Sequence, residues 1–179
     1  MQTIDFFAPQ WYSESTNASL FYIYDRGAMG DMAHLSHNSD VAAISITVKN
    51  PSRKFVWFEP LDHNRDIRKD GSSDLESTCD FMLTVDDKEM LSFGEIKNRG
   101  KSWISGAIGQ LETTVNIFKH NHDINLWRDK RAYVCNYKHP FTPQCYISRQ
   151  ERFRDESGVR LFVKNEIRID SENQDCSPR

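Results

Sequence analysis

"CDFMLTVDDKEMLSFGEIK", residues 79–97, reads as two β-type runs around a short polar turn. "CDFMLTV" (79–85) and "EMLSFGEIK" (89–97) are rich in apolar residues, and the "DDK" between them has turn chemistry, so the stretch predicts a β-hairpin. With the turn at Asp87-Lys88, Asp86 meets Glu89, and counting outward places Asp80 opposite Glu95. Directly opposed side chains have Cβ atoms about 4.5–5.5 Å apart. Two carboxylates at that spacing repel unless something cationic lies between them. Lys97, two residues beyond Glu95, shares its face of the strand.

A magnesium ion (or manganese) answers that repulsion. Mg²⁺ takes oxygen ligands, keeps several waters, and is held by one or two carboxylates together with a substrate phosphate. Asp80 and Glu95 are the expected ligands, and Lys97 is placed to act on the attacking water or on transition-state charge. Two acids, a lysine and a divalent cation are the components of a phosphodiester-cleaving site. Each residue also has a plainer role: a solvated strand-end pair for Glu95 and Lys97, a loop cap for Asp80.

Outward from the hairpin the pattern changes period. In "SWISGAIGQLETTVNIFKHN" (102–121), Ile104, Ala107, Ile108, Leu111, Val115 and Phe118 recur at helical spacing, with Ser102 as N-cap. "RAYVCNY" (131–137) is again a strand. Thr142-Pro143 predicts the start of a second helix running to about Phe153, Gly158 ends it, and "VRLFVKNEIRI" (159–169) reads as one final strand. Before the hairpin, "SLFYIYDRG" (19–27), "VAAISITV" (41–48) and "KFVWFE" (54–59) read as strands. "DMAHLSHNSD" reads as a polar loop or short helix, and 60–78 as a loop. The expected fold is an α/β domain over 1–170, with 171–179 a disordered tail.

Asp80, the hairpin return and Glu95-Ile96-Lys97 resemble the D…(D/E)-x-K signature of the PD-(D/E)xK nuclease superfamily, with Cys79 where that family usually has proline. Gln110, on the following helix, resembles the glutamine of the Q-x-x-x-Y motif of RecB-type nucleases, with Thr114 in place of the tyrosine. The resemblance covers the hairpin, the helix and the next strand. It implies a restriction-endonuclease-like mixed β-sheet flanked by helices, and a Mg²⁺-dependent nuclease acting on DNA more than on RNA. The implied metal ligands are Asp80, Glu95 and the Ile96 backbone carbonyl, with Gln110 supporting the site. Glu59, at the end of "FVWFE", is a candidate further ligand. The alternative is a non-catalytic binding module that keeps this fold.

The formal charge is −3, so an anionic partner must be held by a local patch. Lys97, Arg99 and Lys101 follow the motif, and between 128 and 168 basic residues outnumber acidic ones. Arg131, Arg149 and Arg152 are the expected nucleic-acid contacts there, with Trp103, Trp127 and Tyr137 as candidate base-stacking rings. Cys79 and Cys135 lie in strand-like runs and are expected in the core, and no C-x-x-C pair is present. Neither an export signal nor an apolar run of membrane-spanning length is apparent, which suggests a cytoplasmic setting. A chain this short is expected to dimerise or to join a larger nuclease assembly.

Overall fold

The hairpin forms as the two apolar runs and their polar turn predict. The computed structural model describes residues 3–27, 30–98, 103–137 and 146–170. Within it, β6 (Phe81–Val85) pairs antiparallel with β7 (Met90–Lys97), with Val85 opposite Met90 and Phe81 opposite Gly94. One step further out, Asp80 falls across from Glu95. Asp87 and Lys88 both adopt positive φ, 58° and 54°, and the Glu89 N–H donates to the Asp86 carbonyl at 3.2 Å. Two positive-φ residues give the turn a twist that matches the right-handed twist of the strands.

The hairpin lies at the middle of a six-stranded mixed sheet. On one side come β5 (Val56–Pro60) and the short edge strand β1 (Glu14–Thr16), both antiparallel; on the other come β8 (Asp129–Asn136) and β9 (Arg160–Val163), parallel to β7. The helix α1 (Ile104–Asn121) connects β7 to β8, and α2 (Ile147–Ser157) precedes β9. Parallel strands joined by a helix require the helix to run back, so both helices begin near the end of the sheet where β7 finishes with Lys97.

Both faces of this sheet are buried, and they meet different partners. Met82, Leu91, Phe93, Ala132 and Val134 pack against Ala107, Leu111, Val115 and Phe118 of α1 and against Phe153 of α2. Phe58, Phe81, Leu83, Ile96 and Tyr133 point the other way. They pack on Phe21 and Ile23 of β2 (Leu20–Tyr24), Ile46 and Val48 of β4 (Ser45–Lys49), and Ile167 of β10 (Glu166–Arg168). With β3 (His34–Ser36), these strands make a second, four-stranded sheet in the order β10-β4-β2-β3. The expectation of a sheet flanked by helices therefore holds on one face only. Strands apolar at every position need two covers, and the second cover here is a sheet.

Several boundaries differ from the sequence reading, for local reasons. The segment read as a loop or helix contributes β3, which pairs with β2. The strand read from residue 41 starts at Ser45, because Ser39–Ile44 form a 3₁₀ turn capped by the Asn38 side chain, which accepts the Asp40 N–H at 3.0 Å. The last strand divides at Asn165. Its side chain bonds both the N–H and the carbonyl of Asn136 in the large sheet (2.9 and 3.0 Å), while its own carbonyl accepts Thr47 N–H in the small one. Helix α1 is capped at Trp103 without a side-chain bond, and Ser102 lies outside the described residues. Helix α2 begins at Ile147; Thr142-Pro143 and the tail from 171 also lie outside them. Gly158 ends α2 in the left-handed conformation (φ 72°) that glycine tolerates.

Candidate active site

Asp80, Glu95, Lys97 and Gln110 meet at the end of β7, on the helix-covered face. Glu95 is 0% exposed and Asp80 7%. Asp80 Oδ2 accepts the Ile96 N–H at 2.5 Å, so the residue between Glu95 and Lys97 fixes the Asp80 carboxylate. Lys97, 22% exposed at its side chain, forms an ion pair with Glu95 Oε1. Apart from that lysine contact, neither Glu95 oxygen has a hydrogen-bond partner among the described residues. The lysine also donates to Gln110 Oε1 at 2.7 Å.

Helix α1 braces the start of the hairpin from above. Gln110 Nε2 donates to the Thr78 carbonyl at 2.9 Å, so its amide links Lys97 to the residues just before Asp80. Thr114, one turn later and fully buried, accepts the Cys79 N–H at 2.8 Å and donates to the Gln110 carbonyl at 2.8 Å. Thr114 thus anchors the residue preceding Asp80. Its spacing of four from Gln110, on the same buried stripe, is the sequence signal that marks it.

Electrostatics at the pair are unfavourable for two anions. Burial pushes the Asp80 carboxyl up to about 7, opposed by the Ile96 N–H and Lys97, with Asp25 and Asp62 adding negative charge nearby. Burial also raises Glu95 well above the usual carboxylate range, and the Asp80 charge adds to this while Lys97 opposes it. Asp25 and Asp62 were not singled out from sequence. Asp62 sits in an acid-rich loop, where spacing does not distinguish one acid from another.

No protein-family model, curated protein or solved structure matches this chain.

Glu59 sits opposite Met82 and hence on the Asp80 face. Its electrostatic neighbours are Arg65 and Asp5, with Arg65 Nη2 3.7 Å from Oε2, and burial pushes its carboxyl up to about 7. Arg65 is itself buried and donates to the Phe6 carbonyl at 2.6 Å. Glu59 therefore sits in a buried contact with Arg65, which the Phe6 carbonyl ties to the N-terminal segment.

Of the expected nucleic-acid contacts, Arg131 is corrected. It is 1% exposed and its guanidinium is consumed by Asp129 (2.5 and 2.8 Å) and the Arg168 carbonyl (2.5 Å). It shares a face of β8 with Tyr133 and Cys135, which points into the packing between the sheets. Arg149 and Arg152 are exposed on α2, whereas Arg99 and Lys101 lie outside the described residues. Trp127 is buried in the core against α1, and Tyr137 and Trp103 pack at the borders of the two cores. Cys79 and Cys135 are buried free thiols, as expected.

The donor set fits a divalent cation. Two buried carboxylates occupy opposed positions of the hairpin, and one of them has only the Lys97 ammonium against it among the described residues. Among the described residues no group of three or more His, Cys, Asp or Glu side chains converges as a metal cage. A cation at Asp80 and Glu95 would complete its shell from backbone carbonyl, water or substrate oxygens, the habit of Mg²⁺. Among the described residues, His34 contacts Asp31, His37 contacts Thr16, and His122 accepts the Phe6 N–H. No helix among the described residues is long and apolar enough to cross a membrane.

Proposed function

We propose that this chain is a divalent-metal-dependent phosphodiesterase of the restriction-endonuclease-like type, cutting nucleic acid and preferring DNA to RNA. The observation that carries this reading is the Glu95 carboxylate. It is fully buried, lies across the hairpin from a second buried carboxylate at Asp80, and has the Lys97 ammonium as its one polar contact among the described residues. An arrangement that disfavours two negative charges is a poor device for stability, because burying charge is costly unless it is compensated. It is a good one for holding a cation.

Asp80 and Glu95 would hold Mg²⁺ or Mn²⁺, with the Ile96 carbonyl as a further oxygen. Such a cation supplies a hydroxide at neutral pH and polarises the phosphate. The remaining work falls to the protein. Lys97, oriented by Gln110 Oε1, places an ammonium beside the carboxylates, where it can orient the attacking water and offset charge on the phosphate oxygens. Gln110 and Thr114 keep the two strand ends in register by holding Thr78 and Cys79 to the helix.

The deciding experiment is degradation of plasmid and of single-stranded DNA and RNA by purified protein. Cleavage is expected with Mg²⁺ or Mn²⁺, none with EDTA, and none from Asp80→Asn in either metal. Absence of cleavage of all three substrates in both metals would overturn the reading and leave a non-catalytic binding module.

A further inference from the structure

We infer that the groove between the first turns of α1 and α2 is a second phosphate contact, which seats the nucleic-acid backbone to one side of the bond being cut. The inference rests on the phosphodiesterase reading above and names how that site holds its substrate. The groove is lined by Ser105, Ile108 and Glu112 of α1 and by Arg149 and Arg152 of α2. On α1 the lining residues recur at i, i+3 and i+7, so they form one stripe; on α2 the arginines are three apart and share a face. Ile108 forms the floor, and the two guanidinium groups stand on one wall.

Three features favour a polymer backbone as occupant. The first is position. Both helices begin near the end of the sheet where β7 carries Glu95 and Lys97, so the groove lies at the same end of the molecule as the carboxylates. The second is size. At about 260 Å³ and open to solvent, the groove is smaller than the roughly 300–1,000 Å³ clefts that enclose small molecules, and suits a segment of chain lying across it. The third is availability. Arg149 donates to Ser105 Oγ at 3.0 Å, which holds its guanidinium over the groove while leaving other donors free. Arg152 is paired with Glu156 at 2.8 Å, but both partners are well exposed, and a pair of that kind is easily exchanged for a phosphate. Arg131, with the same chemistry, is excluded by burial. Glu112 is the opposing charge in the groove and limits affinity.

The test is binding of a fluorescent DNA oligonucleotide in EDTA, where cleavage is blocked, across a salt series. Arg149→Ala/Arg152→Ala should weaken binding and flatten the dependence of log Kd on log[salt] by about 1.4–1.8, the loss of two phosphate contacts. Glu112→Gln should do the opposite and tighten binding. Both variants should melt like wild type, because all three side chains lie at the surface. If wild type cuts DNA while the double variant keeps the wild-type affinity and salt slope, the groove assignment is overturned and the nuclease reading stands. If binding depends on the arginines but no metal supports cleavage, the groove stands and the nuclease reading falls. Wild type that neither binds nor cuts DNA overturns both.

Discussion

On the proposed reading, Lys97 would separate chemistry from binding. It touches Glu95 and Gln110 and lies outside the carboxylate pair itself. Lys97→Ala should therefore leave Mn²⁺ binding in place while slowing cleavage by about 10²–10³-fold, the usual effect of removing one preorganised electrostatic contact. Single-turnover cleavage and Mn²⁺ titration on the same preparation check this; equal cleavage by mutant and wild type would make Lys97 a strand-end charge. Glu59 provides a second test at this scale. Burial pushes its carboxyl up to about 7 in the fold from an ordinary 4.5. A raised carboxylate pKa contributes stability that is fully present below the unfolded value and is lost as pH rises through the folded one. Between about pH 5 and pH 8, wild type should therefore lose melting temperature relative to Glu59→Gln, which has no proton to release there. Parallel melting curves for the two proteins across that range would show that Glu59 is not held protonated.

The central hairpin depends on one glycine. A Cβ on Gly94 would stand 2.0 Å from Phe81 Cζ, because the Phe81 ring lies flat across the position opposite it. Gly94→Ala must push that ring out of the packing between the two sheets, at about 1–3 kcal/mol. In a chain of this size the melting temperature should fall by about 2–4 °C per kcal/mol. Phe81→Leu made in the Gly94→Ala background should recover part of the loss, and additive losses in denaturant would refute the contact. Gly94 precedes Glu95, so the same displacement should disturb the site: cleavage should fall further than the stability loss alone explains.

On the proposed reading, the two buried carboxylates are a liability to the whole molecule unless a cation binds them. Two buried carboxylates and a net acidic chain favour a cation that binds the native state and stabilises it by mass action, about 2.7 kcal/mol at a hundred times Kd. Millimolar Mn²⁺ should raise the melting temperature of wild type. Asp80→Asn keeps an oxygen for the Ile96 N–H but removes a charge, so it should melt higher than wild type in EDTA and respond little to Mn²⁺. Wild type indifferent to Mn²⁺ would argue against any metal at Asp80 and Glu95.

The parts of this fold that could be read in advance are those set by local chemistry. Two apolar runs in 79–97 and an acidic turn between them specify a hairpin, and a hairpin's register follows from its turn, so the opposition of Asp80 and Glu95 was already present in the spelling of the chain. The helical stripe of α1 was equally plain, and it carried Gln110 to the site. What covers the second face of the sheet was not, because an apolar strand records only that it is buried and not by what. Nor could Arg131 be told from Arg149: charge is a property of the residue, but exposure is a property of its neighbours. Glu59 and Arg65 are six apart in a stretch that reads as strand end and loop, and only the return of the N-terminal segment over them makes a buried pair. The same holds at Asn165, where a side chain closes one sheet and a backbone carbonyl opens another. Long-range contacts of that kind arise when the layers pack, and no period in the sequence encodes them.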